Sequence, residues 1–193
     1  MPRLFFAIET PPLLKKQLVA IQDRIVEDFR HLERIPDLKL ERLVNSHCTL
    51  RFLGNVDESK VEAITKAAGE AIRDGNFPPF ECKLGASGVF PNRKRARVLW
   101  TGLLPEEPFR EILTAIDSSL EIAGVKFEHE HAFHPHLALF RYRTPYRIPP
   151  DFRFPDLTAV SPLALVSEVA LIESRTLAEG PVHTVRKKFM LHL

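Results

Sequence analysis

The chain has 193 residues, 45% hydrophobic and 27% charged, with 27 Lys and Arg against 25 Asp and Glu for a formal net charge of +2. That length sustains a core of its own as one domain, 1–193. No run approaches 18 apolar residues, which excludes a membrane-spanning helix, and the near-balanced charge excludes a strong whole-molecule field for polyanions.

Residues 3–9 read as a strand, and Thr10-Pro11-Pro12 supplies a helix start with Thr10 as N-cap. Leu14, Leu18, Ile21, Ile25 and Phe29 recur at helical spacing and predict a helix to about residue 34. A loop through Pro36 leads to a strand at about 47–53, closed by Gly54. Asp57 or Ser59 starts the next helix, whose stripe is Val61, Ile64, Ala68 and Ile72, and Asp74-Gly75-Asn76 ends it. Strands at about 80–89 and 97–103 form a hairpin around the basic loop Pro91–Arg97, and a third helix runs from Glu106 to Ala123. A strand at about 136–142 follows. Five prolines between 143 and 162 predict a long surface loop, a candidate lid. Strands at about 163–174 and 182–192 close the chain around Ala178-Glu179-Gly180-Pro181. The order lacks regular β-α alternation, so an α+β arrangement with antiparallel sheets is expected.

Cys48 and Cys82 are too few for a disulfide framework and fit a reducing cytoplasm. The short apolar opening ends at Glu9 and makes a poor signal peptide. Basic residues nonetheless cluster: Arg93-Lys94-Arg95-Ala96-Arg97, then Arg141, Arg143, Arg147 and Arg153, then Arg186-Lys187-Lys188. Where such clusters converge on one site they attract phosphates; elsewhere they are solvated loops.

Two strands carry matching devices, His47-Cys48-Thr49-Leu50 and His136-Leu137-Ala138-Leu139. Residues i and i+2 of a strand share a face about 6–7 Å apart. His47 and Thr49 therefore look one way and Cys48 the other, as a small buried apolar residue. Metal-free cleavage of a phosphodiester needs a base for the attacking oxygen and an acid for the leaving one, and histidine serves as either near neutral pH. Two imidazoles from separate strands meet that need if they flank one phosphorus. A hydroxyl beside one of them donates to a non-bridging oxygen.

These motifs, together with Arg3-Leu4-Phe5-Phe6-Ala7-Ile8, Arg51-Phe52-Leu53-Gly54, Phe90-Pro91, Arg97-Val98-Leu99-Trp100-Thr101-Gly102, Phe133-His134-Pro135-His136, Phe140-Arg141 and Glu173-Ser174-Arg175, resemble the two-histidine (2H) phosphoesterase superfamily. The nearer likeness is to its RNA 2',3'-cyclic phosphodiesterases, formerly called 2'-5' RNA ligases. The resemblance implies a bilobal LigT-like fold, two antiparallel sheets facing a central cleft with helices outside. It implies hydrolysis of a terminal 2',3'-cyclic phosphate on RNA or tRNA fragments to a 2'-phosphate, without cofactor or metal, and a reverse 2'-5' ligation. It makes His47 the acid, His136 the base, and Thr49 and Arg141 the phosphate ligands. One position departs from the pattern: Ala138 stands where the family has Thr or Ser, so one donor to phosphate is missing.

A binding module with weak or no turnover is the alternative that Ala138 raises. A metal reading of His129-Glu130-His131-Ala132-Phe133-His134-Pro135-His136 lacks a nearby cysteine and is broken by Pro135, so His129, His131 and His134 are assigned to solvent or the cleft rim. Phe133 and Phe5 are candidates for stacking on a nucleobase, with the core the favoured place for Phe5, and Trp100 reads as core. The protein is expected to be a cytoplasmic monomer.

Overall fold

In the computed structural model, residues 1–32, 35–128, 133–178 and 180–192 are described. The elements run β1 (Arg3–Glu9), α1 (Pro12–Arg30), β2 (Leu38–Leu40), a 3-10 turn (Leu43–Asn45), β3 (His47–Asn55), α2 (Glu58–Gly75), β4 (Phe80–Phe90), β5 (Ala96–Leu104) and α3 (Glu107–Ile122). There follow β6 (His136–Tyr146), β7 (Ala164–Val166), β8 (Glu168–Leu177) and β9 (Gly180–Met190). The strands form two sheets, ordered β3-β1-β8-β9 and β2-β6-β5-β4-β7, with every pairing antiparallel. No helix among the described residues is long and apolar enough to cross a membrane.

Helical periodicity lays an apolar stripe on each helix, and that stripe decides where it docks. In α1 the predicted stripe is buried as expected, and Phe29 packs on Tyr142, Tyr146 and Phe152 beneath the five-stranded sheet. α2 and α3 pack on each other and cover the four-stranded sheet, with Gly69 of α2 against Phe189 of β9. Each large side chain buried here contributes about 1.5–3 kcal/mol. Asp57 caps α2 by accepting the Ser59 backbone N–H, and the left-handed Asn76 ends it.

Several expectations need correction. Thr10 is not an N-cap: Pro11 occupies that place, and the Thr10 hydroxyl instead shares a buried hydrogen bond with Ser46. Helix α1 stops at Arg30, and the loop beyond it contains β2 and a 3-10 turn. The run 163–174 is two strands, because the chain changes sheets at Ser167: β7 pairs with β4, and β8 with β1. A period-two pattern shows that a strand is half-buried but not which sheet it joins.

The proline-rich segment is not a lid. Strand β6 runs on through Pro145 to Tyr146, and none of 143–162 lines the cleft described below. The segment is a strap across β4: Ser87 N–H donates to the Pro155 carbonyl, Leu157 N–H to that of Gly85, and Lys83 Nζ to that of Thr158. Phe152 anchors it by stacking on Phe29 at 4.8 Å.

Candidate active site

Strands β3 and β6 each carry one extra residue at the same place, three after the histidine. Ala7 pairs with Thr49 but Phe6 pairs with Arg51, so Leu50 is a bulge. Trp100 pairs with Ala138 but Leu99 pairs with Phe140, so Leu139 is its counterpart. A bulge breaks alternation and re-aims whatever follows it. Arg51 and Phe140 are thereby turned into the core, while Phe52 and Arg141 face the cleft. Strict alternation would have placed Arg51, not Phe52, beside the histidine. Arg51 instead forks onto Asp117 of α3, at 2.8 and 2.5 Å, and donates to the Glu128 carbonyl.

The two sheets face a cleft of about 690 Å³ whose lining includes His47, Thr49, Phe133, His136, Ala138 and Arg141. All five candidate side chains thus reach one space, which Ala138 shares. Both histidines are held alike. His47 Nδ1 lies 2.5 Å from the Asn45 carbonyl, and His136 Nδ1 lies 2.7 Å from the His134 carbonyl. A carbonyl only accepts, so each Nδ1 carries its proton and proton exchange is assigned to Nε2. His47 packs on Phe5 at 4.9 Å, and His136 sits edge-on to Phe90 at 4.9 Å. Phe5 is therefore both core and cleft wall, while Trp100 stacks behind Phe90.

Burial pushes the His47 pKa down to about 4, opposed by its bond to the Asn45 carbonyl and assisted by His183, Arg141 and His136. In the substrate-free cleft His47 is a neutral imidazole at neutral pH. Arg141 pairs with Glu41, which also lines the cleft. The arginine is thus pre-positioned by a carboxylate that an incoming phosphate would compete with. Behind this pair lies Gln22 of α1, whose buried amide donates to the carbonyls of Glu41 and of the bulged Leu139, at 3.1 and 3.0 Å.

Periodicity gave no warning of three participants. His183 of β9 stands edge-on to His47 at 5.1 Å, its pKa lowered by burial and raised by Glu41. Asn45 offers its carbonyl to His47 and its side-chain amide to the Pro181 carbonyl, at 2.9 Å, which ties the β8–β9 hairpin to the first motif. Phe52 is a large exposed ring in the cleft, 5.5 Å from Phe5. The signal for His183 was only a histidine on an alternating strand. The signals for Asn45 and Phe52 needed the register of β3.

Of the basic clusters, Arg141 reaches the cleft while several others make contacts within the fold. Arg93 binds the strap carbonyls of Pro149 and Phe152, Arg143 pairs with Asp37, and Lys188 with Glu168 and Glu9. His134 is exposed at the cleft rim, 3.9 Å from Glu106. His129 and His131 lie outside the described residues.

A sequence profile of the LigT like Phosphoesterase family matches residues 15–100. A Methanocaldococcus jannaschii protein named RNA 2',3'-cyclic phosphodiesterase is 33% identical over 141 residues, 73% of this chain and 72% of that one. The chain belongs to the LigT-like phosphoesterases. A Methanothermobacter thermautotrophicus protein of the same name is 29% identical over 191 residues, 98% of each chain. Solved LigT-like structures agree with the fold. TT0787 of Thermus thermophilus has 28% identity and a TM-score of 0.76, covering 98% of this chain and 97% of its own. Escherichia coli LigT complexed with 3'-AMP has 25% identity and a TM-score of 0.77, covering 100% and 99%. This LigT-like phosphoesterase is thus an enzyme of phosphoester chemistry with a bilobal α+β fold.

Proposed function

We propose that this protein hydrolyses the 2',3'-cyclic phosphate at RNA or tRNA-fragment 3' ends to a 2'-phosphate, acting as a cytoplasmic monomer in which residues 1–193 form one domain. The observation that carries the reading is the matched pair of histidines. Each has Nδ1 committed to a backbone carbonyl, and both line one cleft with Arg141. The names of the relatives and the 3'-AMP bound by Escherichia coli LigT support the same substrate class.

In this mechanism a water attacks phosphorus in line with the 3' oxygen and gives its proton to His136 Nε2. The P–O3' bond breaks, and His47 Nε2 supplies the proton that leaves a 3'-hydroxyl. Thr49 Oγ1 and the Arg141 guanidinium hold the non-bridging oxygens, and Phe133 stacks on the base. An acid role requires His47 to be charged, although burial holds its pKa at about 4. A phosphate anion about 4 Å away, at an effective dielectric of 20, favours the charged form by about 4 kcal/mol, or about 3 pKa units. The bound anion therefore lets His47 take up from solvent the proton that it gives to O3'. With a 5'-hydroxyl in place of the water, its proton passing to His136 Nε2 as P–O3' breaks and O3' is protonated by His47, the same groups join the cyclic phosphate to the 5' oxygen as a 2'-5' linkage.

The test is to incubate the protein with an oligoribonucleotide ending in 2',3'-cyclic phosphate, in the presence of EDTA, and follow product by 31P NMR. A 2'-phosphate with unchanged rate in EDTA is expected. Binding without turnover would favour the binding module that Ala138 raises, and loss of activity in EDTA would contradict a metal-free reaction.

A further inference from the structure

A second hollow of about 630 Å³ adjoins the cleft, and Arg3, Ser174 and Thr176 line both. These residues come together through sheet register: Arg3 pairs with Ser174 across β1 and β8, and Ser174 with His183 across β8 and β9. Beyond this shared wall the second hollow is lined by Arg175 and Arg186. The buried Glu173 carboxylate accepts from both guanidiniums at 2.7 Å, and Arg186 also reaches Glu58 at 2.5 Å. Arg3 has no carboxylate partner among the described residues, so three guanidiniums face two carboxylates here. Elsewhere in the cleft lining the charges are matched: Glu41 is paired with Arg141, and Glu106 stands 3.9 Å from His134.

An RNA whose 3' end sits between the histidines must lead its remaining nucleotides out of the cleft. Its polyanionic backbone is drawn to the side where guanidiniums outnumber carboxylates. We propose that the second hollow is the path of the RNA strand, with phosphates 5' of the terminal nucleotide on Arg3, Arg175 and Arg186. The inference rests on the cyclic-phosphodiesterase reading and names its substrate class as oligonucleotides rather than cyclic mononucleotides.

The experiment compares 2',3'-cyclic AMP with an oligoribonucleotide of about eight nucleotides, within the span of a single-strand groove, ending in 2',3'-cyclic phosphate. Arg175→Ala removes an exposed cation. The triple variant Glu173→Gln, Arg175→Ala, Arg186→Ala removes both cations without stranding a buried carboxylate, and its melting temperature reports whether it folds. In the triple variant the oligonucleotide KM rises about ten-fold and the slope of log affinity against log salt falls by about 0.7 per arginine, while cyclic AMP kinetics stay unchanged. An unchanged oligonucleotide KM, or equal losses on both substrates, would overturn the path. If wild type turns over neither substrate, the catalytic reading fails by itself. Anisotropy of a fluorescein-labelled oligoribonucleotide then decides the path: weaker binding by the triple variant supports it, equal binding overturns it.

Discussion

His47 is a half-buried imidazole with no carboxylate acting on it among the described residues, and this gives it a measurable signature. Its folded pKa of about 4 lies below the 6.5 of an exposed histidine, so the unfolded chain takes up the proton first. The stability gained by keeping it neutral is fully present above pH 6.5. It is lost as pH falls toward 4, by up to about 3 kcal/mol. Urea unfolding should therefore show stability declining through that window, with a smaller decline in His47→Asn. Imidazole 15N NMR should place His47 near pKa 4 alone and at least 2 units higher with 3'-AMP bound, since an anion favours the cation; no upward shift would contradict the acid role. On the other strand, Ala138→Thr restores a donor of the kind worth about 1–3 kcal/mol. Turnover equal to or above wild type is expected, and a collapse with the fold intact would contradict the placement of Ala138 against phosphate.

The bulges at Leu50 and Leu139 decide which residues face the cleft. The second is held by Gln22, whose amide reaches the Leu139 and Glu41 carbonyls and so fixes both the arginine and its carboxylate partner. Gln22→Met keeps the bulk but withdraws those donors. It should lower stability by about 1–3 kcal/mol and raise KM as Arg141 loses its aim. Phe152→Ala, in the strap, should lower stability by up to about 3–5 kcal/mol and leave kcat/KM unchanged, because the strap does not border the cleft. Kinetics beside thermal melts would separate the two. Local periodicity made the helices and the motif strands legible, down to the stripe of α1 and the Asp57 cap. What it left obscure depended on distant partners: the bulges, visible only against β1 and β5; the sheet change at Ser167; and the three-residue β2, too short for a pattern. Proline content suggests a surface loop and a candidate lid, whereas backbone pairing with β4 makes that segment a strap.

At the scale of the molecule, each sheet brings half of the candidate site, and the proposed reaction needs both. The four-stranded sheet supplies His47, Thr49 and His183; the five-stranded sheet supplies His136 and Arg141. The motif residues were legible from sequence because their chemistry is local, whereas His183 and Asn45 became legible only once the β8–β9 hairpin was seen to close on the first motif. The most direct measurement is a double-mutant cycle on turnover of a 2',3'-cyclic phosphate with His47→Ala, His136→Ala and the pair. Acid and base serving one phosphorus predict losses of about 10²–10⁴ in each single variant, and a double variant no slower than the worse single. Near-normal turnover in either single variant, or losses that multiply in the pair, would contradict a shared phosphate.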